Sequence, residues 1–169
     1  SASAGPSAAT GTRSVEVVSL LKAQRSMSEG FAADAGTYSL TLAAGTGKVT
    51  SDLTLSAGSL SALAADINSR SLGLRASVES TGAAVNPYRL VLTSDQAGAA
   101  GGFSPGGISG MAFTTVIPAA DAQIRVDGVD YWRPSNTITD VIPGVTMNLT
   151  GVSTGPGTLQ VSQIGRAHV

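Results

Sequence analysis

Hydrophobic and polar residues alternate along much of this chain with the two-residue period of β-strands. The clearest example is 122–133, where two alternating runs flank the pair Asp127-Gly128. Alternation directs one side of a strand towards a core. An Asp-Gly pair between such runs favours a two-residue type I′ turn, which needs positive φ at both positions. The pattern therefore predicts a hairpin joining 122–126 to 129–133, with Gly128 at positive φ.

Weaker versions of the same alternation predict the other strands. They fall at residues 12–17, 38–42, 49–55, 74–78, 89–93, 111–117 and 145–149. Residues 20–25 fit either a continuing strand or a helical turn. Clusters of Gly, Pro, Ser and Asn mark the turns and loops between strands. These segments are 81–87, 98–110, 135–137 and 143–144.

One segment has the period of a helix instead. Its apolar residues recur at the spacing i, i+3, i+4, i+7, which places them on one face of a helix. They are Leu60, Leu63, Ala64 and Ile67. Ser59 precedes this run, and a serine at that position can cap the first turn. The spacing predicts a helix over 59–69 that buries this face against a sheet.

Together these patterns predict a mainly β fold of the α+β class with one short helix. We expect two small β-rich lobes. The first, discontinuous lobe comprises 1–44 and 118–164, and the second comprises 45–117 with the single helix. The last five residues, 165–169, break the strand pattern, and we expect them to be a foreign tail.

Composition narrows the classes of function. Charged residues make up 12% of the 169 residues and the formal net charge is −1, so no electrostatic attraction to nucleic acid or an anionic membrane is expected. The absence of Cys excludes disulfides and thiolate metal sites. No apolar run approaches the roughly 18–20 residues of a membrane helix. The chain starts with neither an initiating Met nor a secretory leader, and we expect it to be a fragment.

Two segments resemble motifs of catalysis or phosphate binding but lack required parts. Residues 102–106 match G-x-S-x-G around Ser104, yet their Gly and Pro content favours a loop, and the only histidine is His168 in the expected tail. Residues 45–50 have one residue between their glycines, where a phosphate loop needs four, so we predict a turn. We predict no catalytic, cofactor-binding or metal-binding residue, no required cofactor, and no enzymatic activity.

Four aspartates raise the question of a calcium site. They are Asp121, Asp127, Asp130 and Asp140. Calcium loops place several oxygen ligands at close spacing around a glycine, which this set does not do. We therefore expect these side chains to serve turns and caps.

The residues Tyr131, Trp132 and Arg133 form the candidate contact surface of the chain. Trp132 is the only tryptophan. Neighbours in a strand point to opposite faces, so one of the two aromatic residues should face the core and the other the surface. An exposed aromatic side chain beside an arginine fits contact with a neighbouring subunit or a glycan. Ordinary packing within the core and at a sheet edge is the alternative.

Three segments resemble one family in the same order along the chain. The first is Gly11–Val17 followed by Leu20 to Arg25. The second is the run SL-x-x-LA-x-x-IN at 59–68 together with RLVLTS at 89–94. The third is 121–150, which contains a "DG" turn, an "SNT" turn and a "GVT" strand. This order resembles the bacterial flagellar filament cap proteins, also called hook-associated protein 2. The three segments cover most of 11–162, and the long heptad-patterned terminal helices of that family are missing.

The resemblance implies the head region of a structural protein. Such a protein leaves the cell through the flagellar export channel, forms a ring at the tip of the extracellular filament, and guides incoming flagellin by steric means. It further implies a homo-oligomer with coiled-coil helices in the full-length form, and flagellin and hook–filament junction proteins as partners, with no nucleic acid or membrane. In some members the head also contacts host mucus or surfaces.

Two alternative functions follow from the residues themselves. The first is a surface adhesin or phage-fibre binding module, which would use the face of Tyr131, Trp132 and Arg133 to bind glycan. The second is a hydrolase acting through Ser104, which would lose its activity on Ser104→Ala.

Overall fold

The computed structural model describes residues 1–162. The strands, in chain order, are β1 (Ala2–Ala4), β2 (Gly11–Ser19), β3 (Ala23–Ser28), β4 (Ala35–Leu42), β5 (Leu53–Ser59), β6 (Leu74–Ser80), β7 (Tyr88–Ala97), β8 (Ile108–Ser109), β9 (Phe113–Ile117), β10 (Ala122–Val126), β11 (Val129–Arg133), β12 (Thr137–Ile138), β13 (Val145–Asn148) and β14 (Gly157–Val161). Helix α1 (Leu60–Ser69) lies between β5 and β6, and two single 3₁₀ turns occupy Ala99–Gly101 and Pro105–Gly107. The predicted mainly β fold with one short helix is confirmed. No helix within 1–162 is long and apolar enough to cross a membrane.

The chain divides into two units. Of the described residues, the first contains Ser1–Leu21 and 121–162, and the second contains Lys22–Ala120. Each unit is built from two sheets, and each encloses its own hydrophobic cluster.

The first unit contains sheets with the strand orders β11-β10-β2-β14 and β1-β13-β12. In strand β10, Ala122, Ile124 and Val126 are buried while Gln123 and Arg125 between them are partly exposed. The alternating sequence therefore forms a strand with one face in the core. Other strands and loops complete the core with Ala8, Ile138, Ile142, Val145, Met147, Leu149 and Val161.

The second unit contains sheets with the orders β6-β7-β3-β9 and β5-β4-β8, together with α1. Ser59 caps the helix through its hydroxyl, which accepts a hydrogen bond from the backbone N–H of Ala62 at 2.9 Å. The carboxylate of Asp34 accepts a second bond from the backbone N–H of Ser61 at 2.8 Å. The face with Leu60, Leu63, Ala64 and Ile67 is buried, so the predicted helix and its core face are confirmed.

The two units differ from the predicted lobes at their boundaries. Residues 22–44 are expected in the first lobe, but the strands they form lie in the second unit. There, β3 pairs with β7 and β9, and β4 pairs with β5 and β8. Alternation identifies a strand and its buried side, but the strand's partners depend on distant segments. The expected tail, 165–169, lies outside the described residues.

Two local expectations are also corrected. The strand predicted at 49–55 begins only at Leu53, because the preceding residues form a turn in which Gly45 donates to the carbonyl of Val49 at 2.8 Å. Val49 is nevertheless buried, which accounts for its apolar character. Residues 20–25 neither extend β2 nor form a helical turn; the chain pairs through Lys22 with Ala120 and then starts β3.

Candidate interaction surface on the first unit

The hairpin of β10 and β11 carries the candidate contact residues. Its register pairs Ala122 with Arg133 and Val126 with Val129. The two loop residues have positive φ, 49° at Asp127 and 85° at Gly128. Positive φ at both positions defines the type I′ turn. The predicted hairpin is therefore confirmed in its strands and its turn.

The loop of the hairpin is anchored to β2. The carboxylate of Asp127 accepts hydrogen bonds from the backbone N–H of Ser14 at 3.0 Å and from the guanidinium of Arg13 at 2.8 Å, and its own N–H donates to the carbonyl of Ser14 at 2.9 Å. These contacts lower the pKa of Asp127 below its ordinary value; the hydrogen bond from Ser14 is the largest cause and the bond from Arg13 is the second. The Asp127 side chain therefore stabilises the hairpin through bonds to β2, whereas the sequence predicts only its role in forming the turn.

The two aromatic residues of β11 lie on opposite sides of the strand. Tyr131 pairs with buried Ile124 and packs against the core of the first unit. Trp132 pairs with Gln123 and is 56% exposed. The prediction that one aromatic faces the core and the other the surface is confirmed, and Trp132 is the exposed one.

Arg133 is engaged within its own unit. Its Nε donates to both carboxylate oxygens of Asp140 at 2.9 Å, and its guanidinium carbon lies 6.0 Å from the centroid of the Tyr131 ring. The bond between Arg133 and Asp140 lowers the pKa of the Asp140 carboxyl and raises the pKa of the Arg133 guanidinium. Arg133 therefore fixes the last residue of β11 through its ion pair with Asp140, and its guanidinium is not a free cation beside Trp132.

A charged group on the same side of the sheet as Trp132 could not be assigned from sequence. Arg125 donates through Nε to Asp130 at 2.9 Å and through an Nη to Glu16 at 3.0 Å. Asp130 is the largest cause of the raised pKa of Arg125. The three partners are brought together by register, because Arg125 lies opposite Asp130 on β11 and opposite Glu16 on β2. Only the pairing of three strands reveals this group.

The candidate catalytic serine has a structural role. Ser104 is exposed, adopts an extended backbone with φ −82° and ψ 127°, and its hydroxyl accepts a hydrogen bond from the N–H of Gly106 at 3.2 Å. A 3₁₀ turn follows it instead of the strand–turn–helix of a nucleophile elbow. The remaining member of the hydrolase hypothesis, His168, lies outside the described residues.

The aspartates considered for calcium do not converge on one site. Arg13, Arg125 and Arg133 each pair with a different carboxylate, namely Asp127, Asp130 and Asp140. No group of three or more acidic or histidine side chains within 1–162 is arranged to hold a metal ion.

Parts of the chain match two flagellar protein families and one curated flagellar protein. The model of the flagellar hook-associated protein 2 C-terminus matches 119–163, and the model of the flagellin hook IN motif matches 39–96. A flagellar hook-associated protein 2 of Treponema maltophilum is 46% identical over 43 residues, which are 25% of this chain and 6% of that protein.

Two solved structures share the fold over almost the whole chain. The FliD (HAP2) structure from Pseudomonas aeruginosa PAO1 has a TM-score of 0.72 at 23% identity and covers 98% of this chain and 85% of that one. The D1-D2-D3 domains of the flagellar cap protein FliD from Escherichia coli have a TM-score of 0.65 at 26% identity, covering 96% of this chain and 54% of that one. None of these matches supports the adhesin or phage-fibre interpretation.

The two family models and the shared fold all point to the class of bacterial flagellar proteins. More specifically, the chain resembles the flagellar hook-associated protein 2 C-terminus over 119–163 and shares its fold with solved domains of flagellar cap proteins, consistent with a fragment of such a protein. The expected family resemblance is confirmed.

Proposed function

We propose that this chain is part of the head of a flagellar filament cap, which sits at the tip of the growing filament and guides flagellin into place. One observation carries the proposal: the hook IN motif and the hook-associated protein 2 C-terminus match the same chain, the first within the second unit and the second over the end of the first unit.

The mechanism is steric guidance by an oligomer without covalent chemistry. Two separately packed β units offer stable surfaces. The groups considered for chemistry serve the fold, since Ser104 caps a turn and three aspartates pair with arginines. The protein therefore acts without enzymatic activity and without a cofactor.

The setting of this function is the extracellular flagellum. The full-length protein passes through the flagellar export channel and forms a ring, to which long terminal helices contribute. Its partners are further copies of itself, flagellin and the hook–filament junction proteins. Neither nucleic acid nor a membrane is a partner, which agrees with the formal net charge of −1.

Within the head, the face of Tyr131, Trp132 and Arg133 contributes to contact between neighbouring subunits. Trp132 supplies the contact because its side chain is 56% exposed on an edge strand. Tyr131 and Arg133 position it, Tyr131 by packing on the core and Arg133 by its bond to Asp140. Exposed aromatic residues are frequent centres of protein interfaces.

Deletion of the full-length gene in its own bacterium tests the proposal. Cells without the protein should secrete unpolymerised flagellin and lack filaments, and the intact gene should restore them. Normal filaments in the deletion strain would overturn the assignment as a cap.

Complementation with point variants of the full-length gene then tests the surface. Trp132→Ala should restore filaments less well than Val152→Ala, because Val152 is 60% exposed in the same unit but belongs to no strand. Ser104→Ala should restore them fully, and a loss of assembly in that variant would revive a chemical role for Ser104.

A further inference from the structure

The exposed apolar side chains are concentrated on two strands. Within 1–162, the large apolar residues that are exposed are Val85, Val116, Ile117, Val129, Trp132 and Val152. Val116 and Ile117 lie on β9, while Val129 and Trp132 lie on β11. Both strands have five residues, and both are at the edge of a four-stranded sheet, β9 in the second unit and β11 in the first.

Strand β9 has the properties of an edge that is open to another strand. Among the described residues it pairs only with β3. Its sequence, Phe-Thr-Thr-Val-Ile, is uncharged and rich in β-branched residues, and the whole run from 96 to 120 contains no charged residue. Proteins usually protect such edges with charges or proline, because unpaired backbone groups recruit other strands. The register of β9 against β3 shifts between Thr115 and Ile117, so Val116 has no residue directly opposite it on β3, and Val116 and Ile117 are both exposed.

The opposite edge of the same sheet is closed. The side chain of Asn68 donates to the carbonyl of Ala76 on β6 and accepts from the N–H of the same residue, at 2.9 and 2.8 Å. These two bonds occupy the backbone groups that a further strand would use there. The edge of the sheet is thus covered at Ala76 on β6, whereas β9 carries no charge and has a proline, Pro118, only after its last residue.

Strand β11 offers an edge of similar length in the first unit. Among the described residues it pairs only with β10. Its two charged side chains are neutralised within their own unit, Asp130 by Arg125 and Arg133 by Asp140. An incoming uncharged strand would therefore leave no charge without its partner.

We propose that β9 of one copy and β11 of the next copy pair as antiparallel neighbours, so that a sheet runs from one subunit into the following one. The proposal rests on the cap function above, since a closed ring requires two different patches that meet head to tail. Pairing that sets Ile117 opposite Val129 places Val116 opposite Asp130, whose charge is paired with Arg125, and diagonal to Trp132. Both relationships lie within the reach of cross-strand side chains.

The size of this contact agrees with its place in a larger assembly. Two five-residue strands bury much less surface than the roughly 1,600 Å² of a standard stable interface. Isolated heads should associate only weakly, whereas a ring that is also held by other contacts raises the effective concentration of the two strands.

Disulfide trapping of the 169-residue chain tests the pairing, because the sequence contains no Cys. An Ile117→Cys variant is mixed with a Val129→Cys variant under mild oxidation, and dimers are quantified on non-reducing gels. Directly opposed residues in antiparallel strands are about 4.5–5.5 Å apart at Cα, within the range of a disulfide. The matched control mixes Val85→Cys with Val152→Cys, which are more exposed and lie one in each unit.

We expect the Ile117→Cys and Val129→Cys mixture to cross-link at least about tenfold faster than the control mixture, because a bound pair holds its sulfurs at high effective concentration. A chain with both substitutions should form trimers and longer ladders, since the contact is head to tail. Equal rates in the two mixtures would overturn the pairing. Faster cross-linking of Ile117→Cys with itself would also overturn it, in favour of a symmetric contact of two β9 strands.

This experiment is independent of the gene deletion. Cross-linking can fail while the deletion strain still loses its filaments, which would reject only the strand pairing. It can also succeed for a protein whose deletion leaves filaments intact, which would reject only the cap function. Thermal unfolding of each Cys variant establishes that the fold is retained before rates are compared.

Discussion

Asn68 on helix α1 and Ala76 on strand β6 exchange two hydrogen bonds. The side-chain amide donates to the Ala76 carbonyl at 2.9 Å, and the Ala76 N–H donates to the side-chain oxygen at 2.8 Å. The amide of Asn68 therefore takes the place that a neighbouring strand would have. It joins the only described helix to a sheet edge and satisfies the backbone of a buried residue.

Replacing Asn68 by Ala should reduce the free energy of unfolding by about 1–2 kcal/mol, because two bonds of about 0.5–1.5 kcal/mol each are lost and the better helix propensity of Ala offsets part of this. Chemical denaturation measures the change. Arg70→Ala is the control, since Arg70 makes an exposed pair with Asp66 that should contribute less than about 1 kcal/mol. Equal effects of the two substitutions would contradict the role of Asn68.

Leu63→Ala should destabilise the second unit by about 2–5 kcal/mol, because Leu63 is fully buried and its truncation leaves a cavity. Thermal or denaturant unfolding followed by circular dichroism provides the measurement. Ala65→Ser on the exposed face of the same helix should change stability by less than about 0.5 kcal/mol. A near-zero cost at Leu63 would mean that the helix does not pack as described.

Gly128→Val should destabilise the hairpin through backbone strain alone. Gly128 has φ 85°, and an added Cβ would meet no heavy atom within 4 Å, so steric collision with neighbours is not the cause. The left-handed conformation costs a non-glycine residue about 1–2 kcal/mol, and more when it is β-branched. Gly151→Ala, where an added Cβ also meets nothing and φ is not positive, is the control and should be nearly neutral. Equal unfolding midpoints for the two variants would argue against the type I′ turn.

Asp127 should link the stability of the hairpin to acidic pH. Its pKa is lowered in the folded protein by the Ser14 N–H and by Arg13, so the native state favours the charged carboxylate. The resulting stabilisation is complete above the unfolded value of about 3.9 and is lost as the pH falls through the folded pKa. Asp127→Asn keeps a residue that tolerates positive φ but removes the charge.

The stability difference between the wild type and Asp127→Asn should therefore be largest at neutral pH and should narrow below about pH 4. Denaturation at several pH values measures this difference, and an NMR titration reports the carboxyl directly. Arg13→Gln should raise the pKa of Asp127 only in part, because the bond from Ser14 remains. A constant difference across the acidic range would exclude the proposed linkage.

The isolated chain should be monomeric or weakly associated at micromolar concentration, while the full-length protein forms a closed ring. Low charge and few exposed apolar residues limit the contact that the head alone can make. Sedimentation velocity on both proteins provides the comparison. A full-length protein that remains monomeric at high concentration would count heavily against the cap function, whereas a monomeric fragment would not.

Local patterns in the sequence were sufficient for the elements that depend on near neighbours. The hairpin at Asp127-Gly128 was predicted in full because its register and turn are fixed by twelve consecutive residues, 122–133. Helix α1 was predicted with its cap because Ser59, the apolar spacing and the helix all lie within one segment. The family resemblance likewise followed from short runs in a particular order.

The lobe boundaries were not predictable in the same way. Strand β3 fits its own alternation equally well in either unit, and only its pairing with β7 and β9 assigns it to the second. Those partners begin roughly sixty and ninety residues further along the chain, and no local rule selects them. The buried turn at Val49 was mistaken for a strand because an apolar residue in a turn has the same local signature as one in a strand.

Short-range patterns are enough to predict the strand-rich composition, the helix, the type I′ turn and the exposure of one of two adjacent aromatic residues, because each depends on backbone geometry over a few residues. Long-range packing is needed to establish that Trp132 is the exposed aromatic and that Arg125 binds both Asp130 and Glu16. It is also needed to show that Asn68 occupies one edge of a sheet whose other edge is β9. These relationships depend on which distant strands become neighbours, and the strands pair in the way that buries the apolar residues of the whole core.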